Sequence, residues 1–144
     1  MTLSAFLTVS RLEEALASDK IFSDHYEAIA RAIKTRVPKG VRIFHANWSD
    51  TQYLIGLAPE HQYLVTLDPI YMYSYNPQLY ALYRRVSHGQ DQNPTKVIAD
   101  TFGSHYVYAS KLYFLPLVNQ LKAQKDVSII FEDQLGALLV FPSK

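Results

Sequence analysis

Two short segments hold the residues best suited to chemistry. Asn47-Trp48-Ser49-Asp50 and Asp68-Pro69-Ile70-Tyr71 bring two carboxylates, an amide, a hydroxyl and two aromatic rings into a small stretch of chain. Carboxylates that approach one another can share a proton, bind a metal or hold sugar hydroxyls. Asp50 and Asp68, with Asn47, Trp48, Ser49 and Tyr71 around them, are therefore the candidate ligand-binding set. The same residue types also have a purely structural use. Ser49 or Asp50 caps a helix, Asp68 takes up turn amides, and Trp48 covers the end of a core. Both uses stay open at the level of sequence.

Other chemistries find less in the chain. There are no cysteines, which excludes disulfides, thiolate nucleophiles and sulfur-ligated zinc. The histidines at 25, 45, 61, 88 and 105 make no H-x-x-x-H pair, so no metal site is expected. His45 and His105 fall in expected strands, as satisfied or surface imidazoles. No serine sits in G-x-S-x-G, and Asn-Trp-Ser-Asp stands where a dinucleotide fold places its glycine-rich turn. No cofactor is expected and no residue is assigned to catalysis. Arg84-Arg85 beside Tyr80 and Tyr83 suits a phosphate or a base, but a solvated helix face explains the four residues more cheaply. A formal charge of +1, from 14 basic and 13 acidic residues, gives no pull toward nucleic acid.

The elements that must position these residues follow from periodicity and punctuation. Asp24 and Glu27 have capping-box spacing, and Tyr26, Ile29, Ala30, Ile33 and Val37 form one apolar stripe after them. A helix is expected from Ser23 to Pro38-Lys39-Gly40. Strands are expected over Val41–Ala46, Gln62–Leu67 and Ser104–Ala109, and as a closing hairpin over Val127–Glu132 and Ala137–Phe141. Ser49 through Gln52 starts a short helix, and Asn76-Pro77 and Asn93-Pro94 start two more, ended by Gly89 and Gly103. Leu115-Pro116 opens another. Strands separated by helices argue for an α/β, three-layer Rossmann-like domain. Its short, mostly parallel sheet would have about five strands, the last added antiparallel at an edge.

At 144 residues, with 49% hydrophobic and 19% charged, the chain is of single-domain size. The organisation expected is an N-terminal helix or membrane-helix stub over residues 1–22, then one α/β domain over 23–144. No stretch reaches the roughly 18–20 apolar residues that span a bilayer.

Several runs together resemble a known group of proteins: Val41-Arg-Ile-Phe-His-Ala-Asn-Trp-Ser-Asp50, Tyr63-Leu-Val-Thr-Leu-Asp-Pro69, Asn76-Pro-Gln-Leu-Tyr-Ala-Leu-Tyr83, Ile98-Ala-Asp-Thr-Phe-Gly103 and Tyr106-Val-Tyr108. They look like the C-terminal water-soluble domain of bacterial multi-spanning membrane proteins similar to lipid-linked-sugar (mannosyltransferase-like) glycosyltransferases. The resemblance covers residues 23 to 142. It implies a non-catalytic, extracytoplasmic domain on the bacterial inner membrane. Its partners would be the transmembrane part of the parent protein and a sugar or lipid-linked sugar. An exposed aromatic stretch is expected at Ile70, Tyr71, Met72, Tyr73 and Tyr75. The alternative is a free-standing small-ligand-binding or hydrolytic domain using an Asp50/Asp68 cleft.

Overall fold

The computed structural model describes residues 3–66 and 68–142, with side chains from residue 19 onward. The first element, α1 (Leu3–Arg36), is one continuous helix of 34 residues. Ser23-Asp24 does not begin a helix as expected but lies inside one. Residues 3–36 contain neither proline nor glycine, and Ser23 and Asp24 are exposed, where polar side chains are tolerated in a helix interior. The apolar stripe packs as expected: Tyr26, Ile29, Ala30, Ile33 and Val37 are buried, whereas Asp19 to Asp24 are all exposed.

After Gly40, held at a left-handed φ of 79°, comes β1 (Arg42–His45), then a 3-10 turn over Trp48–Asp50 and α2 (Thr51–Leu57). The second strand, β2 (Gln62–Tyr63), is much shorter than its sequence predicts. Beyond Leu64 the ladder is replaced by a side chain: the Val65 N–H donates to His45 Nε2 at 3.2 Å. Leu67, at the end of the expected strand, lies outside the described residues. A short helix not expected from the sequence follows, α3 (Ile70–Tyr75).

The Asn-Pro starts hold. In α4 (Pro77–Ser87) the Asn76 Oδ1 accepts the Leu79 N–H at 3.0 Å, and α5 (Pro94–Phe102) ends at Gly103 with φ 62°. β3 (Tyr106–Ser110) starts two residues late, leaving His105 outside it, because Ser104 Oγ takes the N–H groups of Phe44 and Tyr106. Then α6 (Lys111–Lys122) begins earlier than Leu115-Pro116 and is interrupted at Phe114 (φ −129°, ψ 28°). Pro116 has no N–H for the Leu112 carbonyl and its ring crowds that group. The hairpin of β4 (Ser128–Glu132) and β5 (Gly136–Val140) is as expected.

The fold is mixed α/β, with one open sheet in the order β2-β1-β3-β5-β4. β1 pairs parallel with β2 and β3, and β5 lies antiparallel between β3 and β4. The last strand is therefore internal, not an edge. Ala137, Leu138 and Leu139 are fully buried, while Ser128 and Ile129 of β4 are exposed, so the more apolar strand takes the middle. Alternate strand residues feed two cores. Phe44, Val107 and Leu139 meet Val86 of α4, Ile98 of α5 and Leu117 of α6. Ile43, Tyr108 and Leu138 meet Ile29 and Ile33 of α1 and Leu54 of α2.

Candidate ligand-binding site

β1 has β2 on one side and β3 on the other, so the connections leaving the carboxyl ends of β1 and β3 diverge. In open α/β sheets such a point leaves a crevice where ligands bind. Here the segment after β1 is Asn47-Trp48-Ser49-Asp50, with a cleft on either side of it. The larger, about 500 Å³, lies between that segment, α4 and the first turn of α6, with Trp48, Tyr80, Arg84, His88 and Tyr113 in its walls. The smaller, about 260 Å³, is lined by Phe22, Tyr26, Asp50, Tyr53, Ser110 and Leu112 among others. Asn47, Ser49 and Tyr113 border both.

The turn holds itself together locally. Asn47 has extended backbone (φ −120°, ψ 121°), and its side-chain Oδ1 accepts the Ser49 N–H at 3.3 Å. The cap expected of Ser49 or Asp50 thus comes from Asn47. Asp50 makes no capping bond, which leaves its carboxylate for other partners. Asp50 Oδ1 accepts the Tyr26 hydroxyl at 2.7 Å and Asn47 Nδ2 at 3.0 Å. Its Oδ2 is buried and meets no donor among the described residues. Asp50 is only 2% exposed. Burial pushes its carboxyl from an ordinary 3.8 up to about 6, against the pull of the bonds from Tyr26 and Asn47.

A second set of bonds centres on His25, the neighbour of Tyr26 on α1. His25 Nδ1 is 2.6 Å from Asp133 Oδ2, and His25 Nε2 is 2.9 Å from the Tyr108 hydroxyl. Burial alone would raise Asp133. Bonds from His25 and from the Gly136 and Leu135 amides hold it below the usual range. An ionised Asp133 only accepts, so the His25 proton on that side sits on Nδ1 and, in the neutral ring, Nε2 accepts from Tyr108. The Tyr26 and Tyr108 phenols are close enough to perturb one another. Burial, and next the charge of Asp50, raise both well above the ordinary phenol value.

His45 is satisfied, as expected. Its Nδ1 donates to the Asn47 carbonyl at 2.9 Å, and Nε2 accepts from Val65. Burial pushes the imidazole down to about 4, although the bond to Asn47 works the other way. A protonated ring would turn an N–H toward the Val65 N–H.

Of the six sequence candidates, Asn47, Trp48, Ser49 and Asp50 are contiguous at the crevice. Asp68 stands apart from the Asp50 network: it is exposed, and its Oδ1 accepts the Ile70 N–H at 2.9 Å in a local turn. Tyr71 is 64% exposed on α3, beside Ile70, Tyr73 and Tyr75, which is 85% exposed; Met72 is half-buried. Sequence reasoning did not find Tyr26, His25, Tyr108 and Asp133. Tyr26 counts as one more apolar position in its stripe, and the only local signal was a histidine directly beside it. No group of three or more His, Cys, Asp or Glu side chains able to hold a metal occurs among the described residues. None of the described helices is long and apolar enough to cross a membrane. No family model, curated protein or solved structure matches the chain.

Proposed function

We propose that this chain is a non-catalytic small-ligand-binding domain with its site at the crevice between the carboxyl ends of β1 and β3. The arrangement it uses is of the three-layer Rossmann-like kind, a reading supported by the two cores packed against opposite faces of the sheet. The observation that carries the proposal is the 500 Å³ cleft. One side comes from α4, and the other from the segment after β1 and the first turn of α6 that follows β3, at the point where the strand order reverses. A volume of that order matches small-molecule sites. The resemblance supplies the context: an extracytoplasmic domain of a membrane-embedded glycosyltransferase-like protein that helps bind a sugar or lipid-linked sugar.

A thermal-shift panel of sugars, sugar phosphates and nucleotides tests the site, on wild type and on Trp48→Ala. Trp48 is 46% exposed, so its loss leaves the core intact. A ligand at a hundred times its dissociation constant adds about 2.7 kcal/mol of stability, and that gain should vanish in the variant. If no compound shifts the wild type, the crevice is not a ligand site.

The exposed Ile70, Tyr71, Tyr73 and Tyr75 favour a membrane setting, since half-wet aromatic rings concentrate at bilayer interfaces. Flotation with phospholipid vesicles should carry the protein upward, and Tyr71→Ser with Tyr75→Ser should abolish this. Failure of the wild type to float removes lipid contact from the reading.

A further inference from the structure

We propose that the larger cleft takes a phosphate ester, with the phosphate at Arg84 and His88 and the esterified ring against Trp48 and Tyr113. This rests on the reading of the crevice as a ligand site and names the class of ligand. Tyr80, Arg84, Ser87 and His88 recur at three- and four-residue spacing, so one face of α4 and its C-cap turns toward the cleft. The two adjacent arginines are in different situations. Arg85 pairs with Asp91 at 2.9 Å. Arg84 pairs with no carboxylate among the described residues, and no Asp or Glu lines the cleft. The pocket thus holds the Arg84 cation beside an imidazole, with no carboxylate facing them, which favours an anion.

A further observation points the same way. The opposite wall is aromatic: Trp48 of the 3-10 turn and Tyr113 of the first turn of α6 are large exposed rings, 46% and 68% accessible. The break at Phe114 sets the Tyr113 turn off from the rest of α6, with the Phe114 ring 5.5 Å from His88. Inorganic phosphate would leave this wall unused. An ester of a small ring-bearing alcohol uses both halves.

Trp48 is the only tryptophan in the chain, so its fluorescence reports the site without a label. The probes are glucose 1-phosphate, glucose and inorganic phosphate, titrated into wild type, Arg84→Gln and Arg85→Gln. Unfolding midpoints of all three proteins show that each is folded. The expected result is a saturable change with glucose 1-phosphate that is at least about tenfold weaker with inorganic phosphate and with glucose. It weakens about tenfold or more in Arg84→Gln, equivalent to about 1.4 kcal/mol. Arg85→Gln should titrate as wild type does. If glucose and glucose 1-phosphate bind alike and Arg84→Gln changes neither, the phosphate assignment is wrong while the ligand site stands. If inorganic phosphate binds as tightly as the ester, the aromatic wall has no part and the ester class is wrong. No change with any probe overturns both the ester and the site.

Discussion

The two faces of the sheet are built from alternate residues of the same strands, yet they hold different chemistry. The face under α4, α5 and α6 is lined by Phe44, Val107 and Leu139, and a buried phenol there, Tyr83, spends its hydroxyl on the main-chain carbonyls of His45 and Ala46. The face under α1 and α2 holds His25, Tyr26, His45, Asp50 and Tyr108, all buried: His25 bonds to Tyr108, Tyr26 donates to Asp50, and His45 donates to the Asn47 carbonyl. Apolar packing there would have been simpler, because every buried polar group must find a partner. One face therefore serves stability at any pH, and the other makes stability a function of protonation.

The sharpest test of that contrast removes bulk from the apolar face. Phe44→Ala should cost about 3–5 kcal/mol, by the same amount at every pH, as read by denaturant unfolding. A strong pH dependence of that loss would break the distinction.

The second test concerns opposite signs. Asp50 is raised, so its contribution is fully present below its unfolded value of 3.8 and is lost as pH rises through about 6. His45 is lowered, so its contribution is present above 6.5 and is lost as pH falls toward about 4. Each shift corresponds to roughly 3 kcal/mol at most. Over the same interval the two nearly cancel in the wild type. Asp50→Asn should gain on wild type as pH climbs from 4 to 7, leaving a protein that weakens in acid. His45→Gln should show the reverse slope. Parallel curves for all three proteins would mean that neither group titrates within the fold.

Tyr108→Phe comes next, at about 1–2 kcal/mol, because it leaves His25 Nε2 buried without its 2.9 Å partner. Smallest is Asp68→Ala, expected to lose under about 1 kcal/mol, since its bond to Ile70 is exposed. An Asp68→Ala loss as large as that of Tyr108→Phe would mean the second aspartate belongs with the buried set.

These differences also mark what could be read in the sequence. Asn76-Pro77 and Gly103 were legible because a cap or a left-handed terminator acts within three or four residues of itself. The turn after β1 was legible as a capped polar connection for the same reason, although the cap is Asn47 and not Ser49 or Asp50. Ser23-Asp24 misled because the capping signal is local and the continuity of α1 is not. The His25–Asp133 and His25–Tyr108 bonds join residues 108 and 83 positions apart. No spacing rule reaches that far, and Tyr26 and Tyr108 carry the same letter whether they pack or donate. The place of β5 escaped for a related reason. A tight hairpin says which strand is its neighbour on one side and nothing about the other.

That place has a consequence for the order in which the chain can mature during synthesis. β3 must wait for a partner that lies 26 residues or more downstream, since Tyr106 pairs with Val140 and Ser110 with Gly136. Until the ribosome has released the stretch through Phe141, whose N–H closes on the His105 carbonyl, one edge of β3 stays bare. Unpaired strand edges recruit other chains. A stalled or prematurely ended product lacking β5 is therefore the species that chaperones would be needed to shield.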